Sequence, residues 1–195
     1  MAGTDRLLAG PVDVYVAPEG TAHQTSLITA RPRSPWRQLA GGWHNDDGVQ
    51  VQRTKDMRFQ EVQNELEPVD AFIASQRLIV SFTMMDMQVE AAAYALGMER
   101  SDIITVAADP TNIGTRRIDL IDDDHKTHKI ALLVRGDTPY ANGEKSNFYA
   151  PRVVVSSDFD ITLMLADPAG VPIEFTSLKH QTLRPFFIAQ TAATT

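Results

Sequence analysis

From Arg152 to Leu165 apolar and polar residues change places at nearly every step: Val153, Val155, Phe159, Ile161, Leu163 and Leu165 against Arg152, Ser156, Asp158, Asp160 and Thr162. A period of two puts one set on a core and the other in water or against a partner, which is a strand pattern and not a helical one. A second stretch does the same with Ala74, Gln76, Leu78, Val80 and Phe82, and then breaks at Thr83-Met84-Met85-Asp86. There the period lengthens: Met87, Ala91, Tyr94 and Ala95 recur at helical spacing. Asp86 is placed to cap free N–H groups, Glu90 suits the positive end of the dipole, and Gly97 supplies a left-handed stop, so a helix is predicted over about 87–96.

Shorter signals fill the rest. Pro11–Pro18 alternates and ends in a Pro-Glu-Gly turn, Trp36–Leu39 reads as a short strand, and Asp102–Ala107 and Pro172–Leu178 read as two more. Ile118–Ile121 and Lys129–Arg135 are expected to pair through Asp122-Asp123-Asp124-His125. Residues 48–64 read as a hairpin turning at Lys55-Asp56, with Gln50, Gln52, Gln60, Gln63 and Asn64 outnumbering its apolar residues. A hairpin polar on both sides does not belong wholly to a core; it projects or lines a wet surface. The expected architecture is a single mainly β domain over 1–195, an antiparallel β-sandwich or barrel with one flanking α-helix and extended loops. Terminal arms are expected at about 1–10 and 180–195, the second ordered by a neighbour.

Charge and composition narrow the function. With 25 acids against 18 bases the formal charge is -7, unsuited to gripping phosphate backbones. The acid lies beyond residue 60, since the first sixty residues carry seven bases and six acids. A wall past which a polyanion must slide is served by that balance, because basic side chains would hold it. No cysteine is present, which excludes disulfides, Cys-ligated zinc and a thiol nucleophile. No segment reaches the ~18 apolar residues of a membrane helix, and the first residues lack the pattern of a signal peptide. Cytoplasmic production is the expectation, with no membrane partner.

Candidate chemistry is thin. Asp122-Asp123-Asp124-His125-Lys126-Thr127-His128 gathers metal-ligating types, but in a turn these side chains diverge and Lys126 intrudes, so a solvated hairpin tip is the better reading. Asn45-Asp46-Asp47-Gly48 lacks the spaced oxygens and final Glu of a calcium loop. Asp158 and Asp160 share a strand face as a glycosidase pair would, with nothing else to mark a sugar cleft. Nucleophile-elbow, zinc-protease, Walker and dinucleotide motifs are missing from the sequence. Trp36 and Trp43 fit a ligand platform, an interface anchor or a core equally, and Met84, Met85 and Met87 fit core filling. The reading is a non-enzyme without cofactor or metal.

Four segments together give the chain a resemblance to a known family. They are Gly10-Pro11-Val12-Asp13-Val14-Tyr15-Val16-Ala17-Pro18-Glu19-Gly20, Trp36 to Leu39 followed by Asp47-Gly48-Val49, the strand-to-helix passage ending Ala95-Leu96-Gly97, and Tyr149-Ala150-Pro151-Arg152-Val153. In their order and spacing the chain resembles the major tail tube proteins of long-tailed phages, related to the tube protein of type VI secretion. The resemblance implies a virion protein whose copies form hexameric rings that stack into a hollow tube for DNA. The tape measure, tail terminator and baseplate proteins would be its partners, with DNA passing through unbound. On that basis Ser156, Asp158, Asp160 and Thr162 are expected to face the lumen, and Gln50, Gln52, Gln60, Gln63 and Asn64 to contact the next ring. Two rivals stand beside it: a tail terminator or head–tail connector, which stops at one ring, and a monomeric ligand- or carbohydrate-binding sandwich, which does not stack.

Overall fold

The computed structural model describes residues 9–23, 32–41, 48–60, 68, 70–85, 89–98, 103–107, 113–118, 127–137, 145–158, 170–183 and 187–190. Ten strands and one helix lie in them: β1 (Ala9–Pro18), β2 (Arg37–Gly41), β3 (Gln50–Gln60), β4 (Asp70–Met84), α1 (Val89–Ala95), β5 (Ile104–Val106), β6 (Thr115–Arg117), β7 (Ile130–Asp137), β8 (Lys145–Val155), β9 (Val171–Ser177) and β10 (Phe187–Gln190). Eight of the strands form one sheet in the order β2-β1-β7-β8-β9-β4-β3, with β10 also on β8; β5 and β6 form a separate ribbon. Every pairing is antiparallel. The protein is mainly β and sandwich-like, and the sheet does not close into a barrel.

The sheet folds upon itself because β8 serves two neighbours on one edge. Ser146–Tyr149 pair with β10 and Val153–Val155 pair with β9, while β7 lies along the other edge. Pro151 falls between the two, where Leu132 faces Ala150 but Ile130 faces Val153, so β8 carries the extra residue. A proline without an N–H is tolerated at such a break and would cost a ladder bond elsewhere. Its carbonyl accepts from Gly20 N at 3.0 Å, so no acceptor is lost.

The wrap brings opposite ends of the sheet into one core. Val14 and Val16 of β1, Leu39 of β2, Leu78, Val80 and Phe82 of β4, Leu132 and Val134 of β7, and Ile173 and Phe175 of β9 belong to a single buried cluster. The alternate residues of β1 and β7 do not face water. Tyr15, Ala17, Ala131, Leu133 and Tyr149 form a second buried layer beneath Trp36. Tyr149 meets the rings of His23 and Trp36 edge-on and donates from Oη to the carbonyl of Thr21. At one end of this layer Asp13, Arg135 and Asn147 are register partners, Arg135 and Asn147 are buried, and Tyr15 Oη and Gln38 Nε2 donate to the Asp13 carboxylate. Trp36 is thus a core residue; Trp43 lies outside the described residues.

Helix α1 ends as its glycine predicts. Gly97 has φ 73°, its N–H donates to the Tyr94 carbonyl, and Met98 N–H donates to Ala93, the paired bonds of a Schellman stop. Among its described side chains Ala92 and Ala93 are buried and Tyr94 packs on the core; Asp86 and Met87 lie outside the described residues.

Several expectations are corrected. No turn occurs at Lys55-Asp56: β3 runs unbroken from Gln50 to Gln60 and pairs with β4 from Ser81 back to Asp70. Irregularity does occur there, for Asp56 faces Ser75 and Met57 faces Ile73, leaving Ala74 as an extra residue on β4. The alternating strand is β8, which begins earlier than expected, at Lys145, and ends at Val155; residues 159–165 of the expected strand lie outside the described residues. β7 has β1 on one edge and β8 on the other; residues 119–121 of its expected partner lie outside the described residues. The C-terminal stretch is no free arm throughout, since Phe187–Gln190 adds a strand to β8 of its own chain.

Candidate assembly surface

Alternation on β9, β4 and β3 turns a polar face away from the core. In β9 Val171, Ile173 and Phe175 are buried, so Glu174 and Thr176 point outward. In β4 Val80 and Phe82 are buried, so Ile79, Ser81 and Thr83 point outward. The register sets these side by side as two rows, Gln50–Ser81–Glu174 and Gln52–Ile79–Thr176. Because the extra residue lies on β4, the pleat of β3 is unbroken and Gln60 shares this outer face with Gln50 and Gln52.

Ser156 joins the same face from the end of β8. Its N–H donates to the Glu174 carbonyl at 2.8 Å, and its Oγ lies 2.8 Å from Glu174 Oε1 and 2.9 Å from Thr176 Oγ1. Ser157 Oγ accepts from Glu174 N–H at 3.0 Å. These bonds fix the Glu174 carboxylate by its backbone and by a hydroxyl. A shallow depression of about 260 Å³ lies beside it, lined in part by Gly48, Gln50, Ser81, Thr83, Ser157 and Glu174.

The expected site residues therefore distribute in a way the sequence did not reveal. Ser156 comes together with Gln50 and Gln52 on one surface, although the first is expected in a lumen and the others between rings. Asp158 is exposed beyond the end of β8. Asp160, Thr162, Gln63 and Asn64 lie outside the described residues, as do Asp122–Lys126 of the acidic turn. Glu174, Thr176 and Ser81 were missed. Their signal was present in the alternation of Val171–Ser177, but their meeting with Ser156 depends on a pairing across the sheet.

In the two rows beside Ser156 hydroxyls, amides and the Glu174 carboxylate surround Ile79, and no group of three metal-ligating side chains occurs among the described residues. Nor is any helix among the described residues long and apolar enough to cross a membrane. What the face can do chemically is hold water and present uncharged polar groups along an extended strip.

A different surface lies at the far end of β3 and β4. The β4–β9 pairing stops near Ile79–Thr176, and Ser177 Oγ takes the N–H of Leu78 at 2.8 Å. Past that point the two strands continue as a ribbon with no third strand among the described residues, from Thr54–Arg77 to Gln60–Asp70, roughly 20 Å at the usual strand rise. Along it Met57, Phe59, Phe72 and Ile73 are exposed.

Comparison with curated proteins finds no match. A family model described as phage tail tube protein matches residues 2–193, nearly the whole chain. The four segments singled out above, the all-antiparallel sandwich and that match agree, and the chain belongs to the phage tail tube protein family.

Proposed function

We propose that copies of this chain assemble side by side into hexameric rings, and that the rings stack into the hollow tail tube through which phage DNA enters the host. The match to the tail tube family over residues 2–193 carries this reading. The role is structural and takes no cofactor. Its partners are further copies of itself along the tube and the tape measure, terminator and baseplate proteins that set the length and ends, with assembly in the host cytoplasm.

The open sheet is compatible with such a polymer, because β2 and β3, its end strands among the described residues, offer edges for head-to-tail contacts that propagate. In this reading the outer face with Ser156, Glu174 and Gln50 turns to the bore, continued by Asp158, Asp160 and Thr162. Uncharged polar groups with a few acids let a polyanion pass, since no bound counterions are exchanged for protein cations. Gln52, one row along from Gln50, goes with the bore as well, whereas Gln60, Gln63 and Asn64 lie towards the adjoining ring.

Electron microscopy of the purified protein tests the assembly. Stacked rings and tubes are expected; monomers at all concentrations overturn it, and single rings that never stack favour the terminator or connector. Replacing Asp158→Lys and Asp160→Lys together is expected to slow DNA ejection several-fold, on the order of the loss that added phosphate contacts produce, while tubes still form. Unchanged ejection removes both residues from the bore.

A further inference from the structure

The β3–β4 ribbon is amphipathic only because of its irregularity. On β3 the core-side residues are Val51, Arg53, Lys55, Met57 and Phe59, since Val51 packs on the core. On β4 the core-side residues are Leu78 and Val80, and a regular strand would continue that face through Gln76, Ala74 and Phe72. The extra residue at Ala74 changes the parity. Ile73 then faces Met57 and Ala71 faces Phe59, so Met57, Phe59, Ile73 and Ala71 occupy one side. Arg58, Gln60, Asp70 and Phe72 take the other. The side with Met57, Phe59 and Ile73 is exposed by 46%, 59% and 48%.

Two strands by themselves are marginal in water, and here neither face rests on the body. Such a ribbon is stabilised when its apolar side is covered. Charge indicates what covers it. The strand segments 53–60 and 70–77 carry four bases (Arg53, Lys55, Arg58, Arg77) and two acids (Asp56, Asp70), so the rest of the chain carries fourteen bases against twenty-three acids. A cationic ribbon is complementary to the acidic remainder of another copy.

We infer that the side of the ribbon formed by Met57, Phe59 and Ile73 docks on the acidic body of a second copy of this chain, and that this apolar contact, rather than the glutamine face, holds adjoining subunits together. The inference rests on the tube reading above and specifies its chemistry. Phe72, on the opposite side, is the internal control, equal in size and similarly exposed.

The test uses the full chain, whose lack of cysteine lets a single introduced thiol be labelled cleanly. Phe59→Cys and Phe72→Cys, each carrying an environment-sensitive fluorophore, are followed through assembly by sedimentation and electron microscopy. Phe59→Ser and Phe72→Ser are measured alongside, with circular dichroism to show that both fold. The label at position 59 is expected to shift to shorter wavelength on polymerisation and the label at 72 to change less. Phe59→Ser is expected to raise the critical concentration about ten-fold or more, a change that Phe72→Ser does not reproduce. Tubes that form normally from Phe59→Ser, with label 59 still in water, overturn the docking and leave the tube standing. If wild-type chain forms neither rings nor tubes, the tube reading falls and the docking with it.

Discussion

Strands β7 and β3 make opposite use of the same backbone geometry. Ile130 to Gly136 of β7 are buried on both faces, between the shared core and the layer under Trp36, whereas Gln52 to Gln60 of β3 are exposed on both. Fixing either strand costs ~1–2 kcal/mol per residue in backbone entropy. In β7 that cost is offset by burial within the subunit. In the outer part of β3 it is not, and the ribbon relies on its ladder to β4 and on whatever it contacts outside. Stability within one subunit and cohesion between subunits are thus assigned to different ends of the sheet.

The sharpest way to break this division is to attack the core. Phe175 is fully buried beside Phe82, and Phe175→Ala is expected to destabilise by about 3–5 kcal/mol in chemical denaturation. A loss below ~1 kcal/mol would mean that burial there is not what holds the subunit. Next comes the second layer. Tyr149→Phe removes the bond to the Thr21 carbonyl and is expected to cost about 0.5–1.5 kcal/mol by the same measurement.

A smaller, pH-dependent effect belongs to the same layer. Burial holds the pKa of His23 below its ordinary value, so the unfolded chain takes up a proton at a pH where the folded chain does not. Stability from this source is complete above about pH 6.5 and declines as pH falls from there towards the folded value. Melting temperatures followed downward from about pH 7.5 are expected to fall less steeply in His23→Phe than in wild type. Equal slopes would dismiss the histidine as the cause. The least effect is expected at the other end of the sheet: Phe59→Ser changes the stability of the isolated subunit by no more than ~0.5 kcal/mol. A large loss there would erase the contrast between the two strands.

Elements marked by a few adjacent residues were legible. Pro11–Pro18, Pro172–Leu178 and the glycine stop at Gly97 carry their period or their φ in a few adjacent residues, and each appears in the structure. What failed depended on distant partners. Pro151 argues locally against a strand, yet β8 passes through it because two neighbours divide its edge at that residue. Lys55-Asp56 has turn-like polarity, but a strand exposed on both faces shows no apolar period to contradict a turn. β10 is four residues long and is defined only by the free edge of Ser146–Tyr149, some forty positions earlier. The outer polar face was half visible: the alternation of β9 gave its members, while the union of Ser156 with Glu174 and Thr176 arises from a crossing no local pattern encodes.

The placement of β10 bears on how the molecule is made. β10 follows β8 in the chain, so during synthesis Ser146–Tyr149 keep bare amides and carbonyls on that edge until Phe187–Gln190 arrives. Sealing that seam with the chain's own late-arriving strand gives each newly made monomer a built-in delay before it is fully tailored, and a message truncated ahead of Phe187 would yield protein prone to clump.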